Sequence, residues 1–230
     1  MPRIPVAVDI ETVGQDWDSL SADVKAYLTD RAKTDAEREE LPNRLALHPG
    51  TGRIIAIGLW YPDTARGRIL LEGPPTAWEA FGGDAQIFRG PEDALLREFW
   101  RLLAEGPTTI VTFNGRAFDA PYLMIRSAIV GVDPGRNLLP YRYRFDDHCD
   151  LAEVLTFWNS RRVDGNLEFW CCQFGIESPK AGLRGSEIGA LYKEGRLEEI
   201  ARYCLRDARA TASLFTRLRP IVRLLDPGVS

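Results

Sequence analysis

Apolar residues fill positions 4–8 almost without a break (IPVAV), and the run carries on through DIET to residue 12. A strand covered on both faces reads this way, whereas a half-exposed strand alternates. Residues 52–61 (GRIIAIGLWY) predict a second buried strand and 66–72 (RGRILLE) a third. The Pro, Asp and Gly of the intervening YPDTARG suit a hairpin turn. Residues 85–88 (AQIF) predict a short edge strand, and 108–115 (TTIVTFNG) a fourth main strand. Residues 141–145 (YRYRF) alternate strictly and predict a fifth. Helical periodicity marks 90–106, which has Pro91 and acids in its first turn and a Gly stop. It also marks 120–130, 151–158, 166–174, 186–193 and 196–218. Residues 15–46 are polar, with helical segments around 20–33 and 34–41, and carry no visible chemistry. Three strands in hairpin order, then strand–helix alternation, then a helical tail predict an α/β fold. Its expected form is a mixed five-stranded sheet with helices on both faces, in one domain spanning 1–230.

One of these helices breaks its own pattern. Between 196 and 218, Ile200, Cys204, Thr211, Leu214, Phe215 and Leu218 form an apolar stripe of the kind that packs on a core. Tyr203 and Asp207 fall on the same stripe, one turn apart. A buried aspartate needs a partner, and Arg202, Arg206 and Arg209 point elsewhere. A metal ion is the economical partner.

Asp9 and Glu11 sit at i and i+2 at the end of the first strand, so both project to one face. Buried, they would repel each other; a divalent cation with oxygen ligands, magnesium or manganese, would remove that repulsion. From this pair alone, a solvated strand end is an equally good reading. Asp119, just before Ala120 and Pro121, fits the cap of the following helix, and Asn114 fits a turn. The DLAE at 150–153 makes Asp150 a structural cap, with Glu153 completing a capping box. His48 and His148 share no ligand spacing and read as ordinary polar residues.

Composition adds little. The chain has 230 residues, 45% hydrophobic, and a net charge of −4, so it carries no global footprint of a nucleic-acid binder. Residues 1–115 hold 12 basic and 18 acidic side chains and residues 116–230 hold 17 and 15, which leaves the second half slightly positive. Arginine outnumbers lysine 25 to 4, a pattern that suits phosphate recognition but suits coding bias better. No apolar run reaches the length of a membrane span, and Asp9 ends the first one too early for a signal peptide. The four cysteines show neither metal-ligand spacing nor a disulfide framework, so reduced thiols and a cytosolic place are expected.

Taken together, DIET around Asp9 and Glu11, NGRAFD ending at Asp119 and YCLRD from Tyr203 to Asp207 resemble the three motifs of DEDD-type 3′–5′ exonucleases. The tyrosine four residues before the last aspartate resembles the tyrosine-bearing subgroup. The Asn–x–x–x–Phe–Asp form of the second motif is most similar to the proofreading domain of B-family DNA polymerases and its stand-alone relatives. Each motif is short, but all three occur in order on the expected strand, loop and helix. Residues 15–46 match no motif. The resemblance implies a ribonuclease-H-like fold and two divalent cations, Mg2+ or Mn2+, held by Asp9, Glu11, Asp119 and Asp207. It implies that Tyr203 orients the attacking water and that nucleoside 5′-monophosphates leave from 3′ ends. Thr12, Asn114, Arg116 and Phe118 would then line the terminal nucleotide, with Arg116 the best phosphate contact.

The resulting expectation is a metal-dependent exonuclease acting on single-stranded or frayed DNA ends, with a polymerase or repair partner and no membrane. Two alternatives stand beside it: a 3′–5′ exoribonuclease or oligonucleotidase, and a non-catalytic nucleic-acid-binding module with a relic metal site. Arg142 and Arg144 share one face of 141–145, with Tyr141, Tyr143 and Phe145 on the other. Basic groups beside stacking rings suit single-stranded nucleic acid, yet rings at strand spacing read more readily as core. No Gly-rich fingerprint follows the first strand, which argues against a nicotinamide-cofactor enzyme.

Overall fold

The computed structural model describes residues 3–106, 108–158, 160, 165–178 and 184–226. Its spine is the strand β1 (Ile4–Gly14), which is buried along most of its length as the unbroken apolar run requires. β1 pairs antiparallel with β2 (Gly52–Tyr61), and β2 pairs antiparallel with β3 (Arg66–Glu72). A two-residue strand β4 (Glu79–Ala80) pairs with β5 (Ala85–Gly90), which lies parallel to β3. On the other side of β1 lie β6 (Thr108–Thr112) and β7 (His148–Asp150), both parallel. The sheet order is β4-β5-β3-β2-β1-β6-β7.

Seven strands therefore stand where five were expected. The expected edge strand forms as β5, and the two unexpected strands, β4 and β7, are only two and three residues long, too short for periodicity to register. The expected strand at 141–145 is absent: that segment is a turn closed by the Arg144 N–H donating to the Tyr141 carbonyl at 3.2 Å. Of its three rings only Phe145 is buried, so the alternation there marks no sheet face.

The strands alternate between two apolar layers. Val6, Val8, Ile10, Ile54, Ile57 and Leu70 face the helices α4 (Glu92–Ala104) and α5 (Asp119–Ile129). Ala7, Val13, Ile55, Ala56, Ile69 and Leu71 face the opposite side. There they meet α6 (Leu151–Thr156), α8 (Ile188–Lys193) and the long α9 (Leu197–Leu225), with α7 (Leu167–Gln173) beside them. Helices thus cover both faces. α9 runs beyond the expected end at 218 and through Pro220, because Val222 still reaches the core.

The polar stretch after β1 forms α1 (Ala22–Arg31), α2 (Asp35–Glu39) and α3 (Leu41–Arg44). Its return to the sheet is pinned at the far end of β1. The hydroxyls of Thr12 and Tyr122 both donate to the Ala46 carbonyl, at 2.8 and 2.9 Å. Among the described residues no helix is long and apolar enough to cross a membrane.

Candidate functional site

β1 carries Asp9 and Glu11 on the face that α9 covers, two residues apart as strand geometry dictates. A register shift between Glu11 and Thr12 marks a bulge, where the strand leaves regular pairing with β2. Opposite Asp9 lies Gly58. A Cβ on Gly58 would come within 2.9 Å of the Cys204 carbonyl oxygen, so glycine lets α9 approach the sheet closely here. The Cys204 thiol donates to the Asp9 main-chain carbonyl at 3.4 Å. Ligand atoms of Asp9, Glu11 and Cys204 lie within 4.8 Å of one another. Burial and the surrounding carboxylates push the thiol well above its usual range, so Cys204 stays a thiol rather than a thiolate ligand.

Asp119 arrives from the other direction. After β6 the chain turns through Asn114 in the left-handed region (φ 62°) and Gly115. A Cβ at Gly115 would sit 2.4 Å from that of Thr112. The buried Asp150 carboxylate anchors this loop, accepting from the main-chain N–H groups of Asn114 and Arg116 at 2.8 and 2.9 Å. It also caps α6 through Ala152 N–H at 3.0 Å. Asp150 is thus structural, as expected, but in two places at once. Glu153 completes no capping box; it pairs instead with Arg142 and, at 3.5 Å, with Arg116.

Nor does Asp119 cap its helix. Phe118 holds the N-cap position without a side-chain cap bond, and Asp119 Oδ1 accepts from the Ile10 main-chain N–H at 3.2 Å. That N–H lies between Asp9 and Glu11, so the bond brings the third carboxylate to the first two. α9 supplies the fourth, Asp207, and buries Tyr203 one turn before it. Helix and strand therefore meet where the sequence pattern required.

The electrostatics are those of crowded acids. Asp9 is held well above the usual carboxylate range by burial first, then by the charges of Glu11, Asp207 and Asp119. Glu11 is raised by burial, then by Asp207 and Asp119. Burial, with Asp150 nearby, pushes Asp119 up to about 7. Unit charges as close as the Asp9 and Glu11 oxygens, within 4.8 Å, repel by about 3 kcal/mol at an effective dielectric of about 20, while Asp119 and Asp207 act from outside that close group. Among the described residues no basic side chain forms an ion pair with Asp9, Glu11 or Asp119. Asp9 Oδ2 is buried with no hydrogen-bond partner. A buried, orphaned carboxylate oxygen among crowded acids fits a hard divalent cation. The Tyr203 phenol is raised far above its ordinary value by burial and by Asp207, Glu11 and Asp9, so it keeps its proton.

The other expected contacts divide. Asn114 is exposed on the loop, while Phe118 packs against Tyr122 with ring centroids 5.3 Å apart. Thr12 is occupied by Ala46. The Arg116 guanidinium is engaged with the Pro140 carbonyl at 2.7 Å and with Glu153. His48 accepts from Gly50 N–H at 3.0 Å, and His148 is sealed between Thr112 and the Leu138 carbonyl. Burial pulls His148 down to about 4, so it is neutral. All four cysteines are free.

A family model described as a predicted 3′–5′ exonuclease related to the exonuclease domain of PolB matches residues 84–227. The chain belongs to that family. Curated relatives of this exonuclease-family chain include the DNA polymerase of Desulfurococcus sp. (strain Tok), 26% identical over 226 residues. That of Pyrococcus glycovorans is 28% identical over the same length. Both matches take in 86% of this chain but only 27% of the relative, so the chain spans about a quarter of each polymerase. Among solved structures, the family B DNA polymerase from Pyrobaculum calidifontis superimposes with a TM-score of 0.61 at 18% identity. That match covers 98% of this chain and 27% of the polymerase. The fold is the ribonuclease-H-like one that the sequence motifs implied.

Proposed function

We propose that this chain is a metal-dependent 3′–5′ exonuclease acting on single-stranded or frayed DNA ends, with its chemistry at Asp9, Glu11, Asp119 and Asp207. One observation carries the reading: four carboxylates from three elements converge, and Asp9 keeps a buried oxygen without a hydrogen-bond partner. These acids would hold two divalent cations, magnesium or manganese. When bound, such cations make water a better nucleophile at neutral pH and stabilise the leaving oxygen of a phosphodiester. Tyr203, protonated throughout the working range and hydrogen-bonded to Asp207, would orient the attacking water through its hydroxyl oxygen. Ile10 N–H holds Asp119 in place, and Asp150 holds the loop that delivers it. Asn114, with Thr12, Arg116 and Phe118 behind it, would line the terminal nucleotide.

Family membership supports the direction of hydrolysis, and the polymerase relatives support DNA and a polymerase or repair partner. The free thiols suit a reducing compartment such as the cytosol. We read residues 1–230 as a single domain. Side-by-side digestion of single-stranded DNA and RNA of one sequence, with products resolved by chromatography, tests the substrate class. DNA should yield nucleoside 5′-monophosphates faster than RNA does. Preference for RNA would replace DNA with the exoribonuclease alternative, while binding without hydrolysis would favour the relic module.

A further inference from the structure

The segment 141–145 lies outside the sheet. Its rings join those of the α6 terminus in a continuous stack from core to surface. Phe145 is fully buried and lies flat on Trp158, with centroids 5.3 Å apart and planes 9° apart. Trp158 meets Tyr143 edge-on at 5.3 Å, and Tyr143 meets Tyr141 edge-on at 5.5 Å. At the outer end Tyr143 is 50% exposed and Tyr141 69% exposed, so two rings offer open faces to solvent.

This ladder is held at a conformational cost. Phe157 and Trp158 are consecutive bulky residues in the left-handed region, at φ 48° and 55°. Such residues adopt it only when their surroundings impose it, and such outliers concentrate at functional sites. Here Trp158 is fixed from both sides: its N–H donates to the Glu153 carbonyl at 2.8 Å and its indole N–H to the Arg142 carbonyl at 2.9 Å.

The ladder is also wired to the carboxylate cluster. Pro140, which precedes Tyr141, accepts the Arg116 guanidinium at 2.7 Å. Arg116 lies on the loop that ends at Asp119, and Glu153 bridges it to Arg142. Two guanidiniums flank the rings, Arg142 paired with Glu153 and Arg144 with Asp146 at 2.8 Å on an exposed surface. Exposed rings, these guanidiniums and a fixed link to the loop before Asp119 match what single-stranded nucleic acid needs. Bases stack on aromatic faces and phosphates follow positive charge.

We infer that Tyr141 and Tyr143 are a stacking platform for bases of single-stranded DNA upstream of the nucleotide being removed, with Arg142 and Arg144 beside its phosphates. The inference rests on reading the carboxylate cluster as an exonuclease centre. Its test separates the two claims by measuring binding and hydrolysis independently on the full chain.

Fluorescence anisotropy of 5′-labelled dT10 in EDTA reports binding, and manganese-supported digestion of dT10 and dT2 reports turnover. Each lost ring should weaken dT10 binding about tenfold, so Tyr141→Ala/Tyr143→Ala should weaken it by about a hundredfold. The same variant should raise KM for dT10 and collapse the advantage of dT10 over dT2. Tyr141→Phe/Tyr143→Phe should bind within about twofold of the native chain, since the rings remain. Tyr27→Ala, which removes an exposed tyrosine of α1, controls for nonspecific surface effects. Native-like dT10 affinity and KM in the double alanine variant overturn the platform, and a surface that docks a protein would give that outcome. Weakened binding in that variant, with no hydrolysis by the native chain, upholds the platform and overturns the exonuclease reading instead.

Discussion

The main-chain N–H of Ile10 donates to the carboxylate of Asp119 at 3.2 Å, and this bond couples the second acidic motif to the first. β6 pairs with β1 only as far as Ala7 and Val111. Beyond that point the β1 edge facing β6 is open, and Asp119 takes one of its main-chain donors in place of a strand. The same edge thus serves the fold and gathers the acids. Asp119→Asn keeps an acceptor for Ile10 but removes one buried charge. Metal-free melting should find Asp119→Asn at least as stable as the native chain near neutral pH, with activity lost by a hundredfold or more. Asp119→Ala also loses the bond, worth about 1 kcal/mol, and should melt below the asparagine variant.

Stability should respond to pH and metal together. Asp119 ionises near 3.8 when unfolded but only near 7 when folded. A raised folded pKa gives stability that is complete below the unfolded value and lost as pH climbs through the folded one. Asp9 and Glu11 shift in the same direction. Divalent cations need the ionised acids, so they should restore what rising pH removes. The Tm difference between manganese and EDTA should therefore widen from about pH 5 to about pH 8. His148, lowered to about 4, acts oppositely and loses its contribution as pH falls below its ordinary 6.5. It contributes equally with and without metal, so the difference cancels it. A gap that stays flat or narrows would count against the cluster as a cation site.

Asp150 accepts three main-chain N–H groups, two of them on the loop before Asp119. Asp150→Ala should cost at least about 2 kcal/mol in denaturant unfolding, from a lost cap and unpaired amides. Activity should fall further than stability alone explains, because the loop no longer presents Asp119. Asp150→Asn should recover part of both, since one side-chain oxygen remains to accept.

Tyr203→Phe removes a single hydroxyl from a buried ring. It should melt like the native chain while kcat drops by roughly a hundredfold, the lower end for a positioned proton-bearing group. Because the phenol titrates far above its ordinary value, the native pH–rate profile should show no tyrosine limb up to about pH 10. A limb there that disappears in the phenylalanine variant would mean the phenol works as an anion.

Much of the fold is legible in the sequence. The strands 52–61 and 66–72 fall where their apolar runs put them, and Asp207 faces inward as its place on the stripe of α9 required. Short-range pattern failed where packing across the chain decides. The alternation of YRYRF reflects a ring ladder built with Trp158, which local sequence does not announce. Gly58 looked like any strand residue until α9 lay against it. The polar insertion hid the Ala46 carbonyl, whose partners Thr12 and Tyr122 are 34 and 76 positions away. Arg116, expected at a phosphate, has a further role that spacing did not show: it ties together the two loops beside the cluster.

The most direct test follows a single-stranded oligodeoxynucleotide, labelled at the 5′ end in one sample and at the 3′ end in another, through digestion with manganese. With the 5′ label, a descending ladder of single-nucleotide steps should appear, and the 3′ label should leave at once as a mononucleotide. EDTA, or Asp207→Asn, should stop both. A folded native chain that leaves both labelled strands intact under every divalent cation, or shortens them from the 5′ end, would contradict the account.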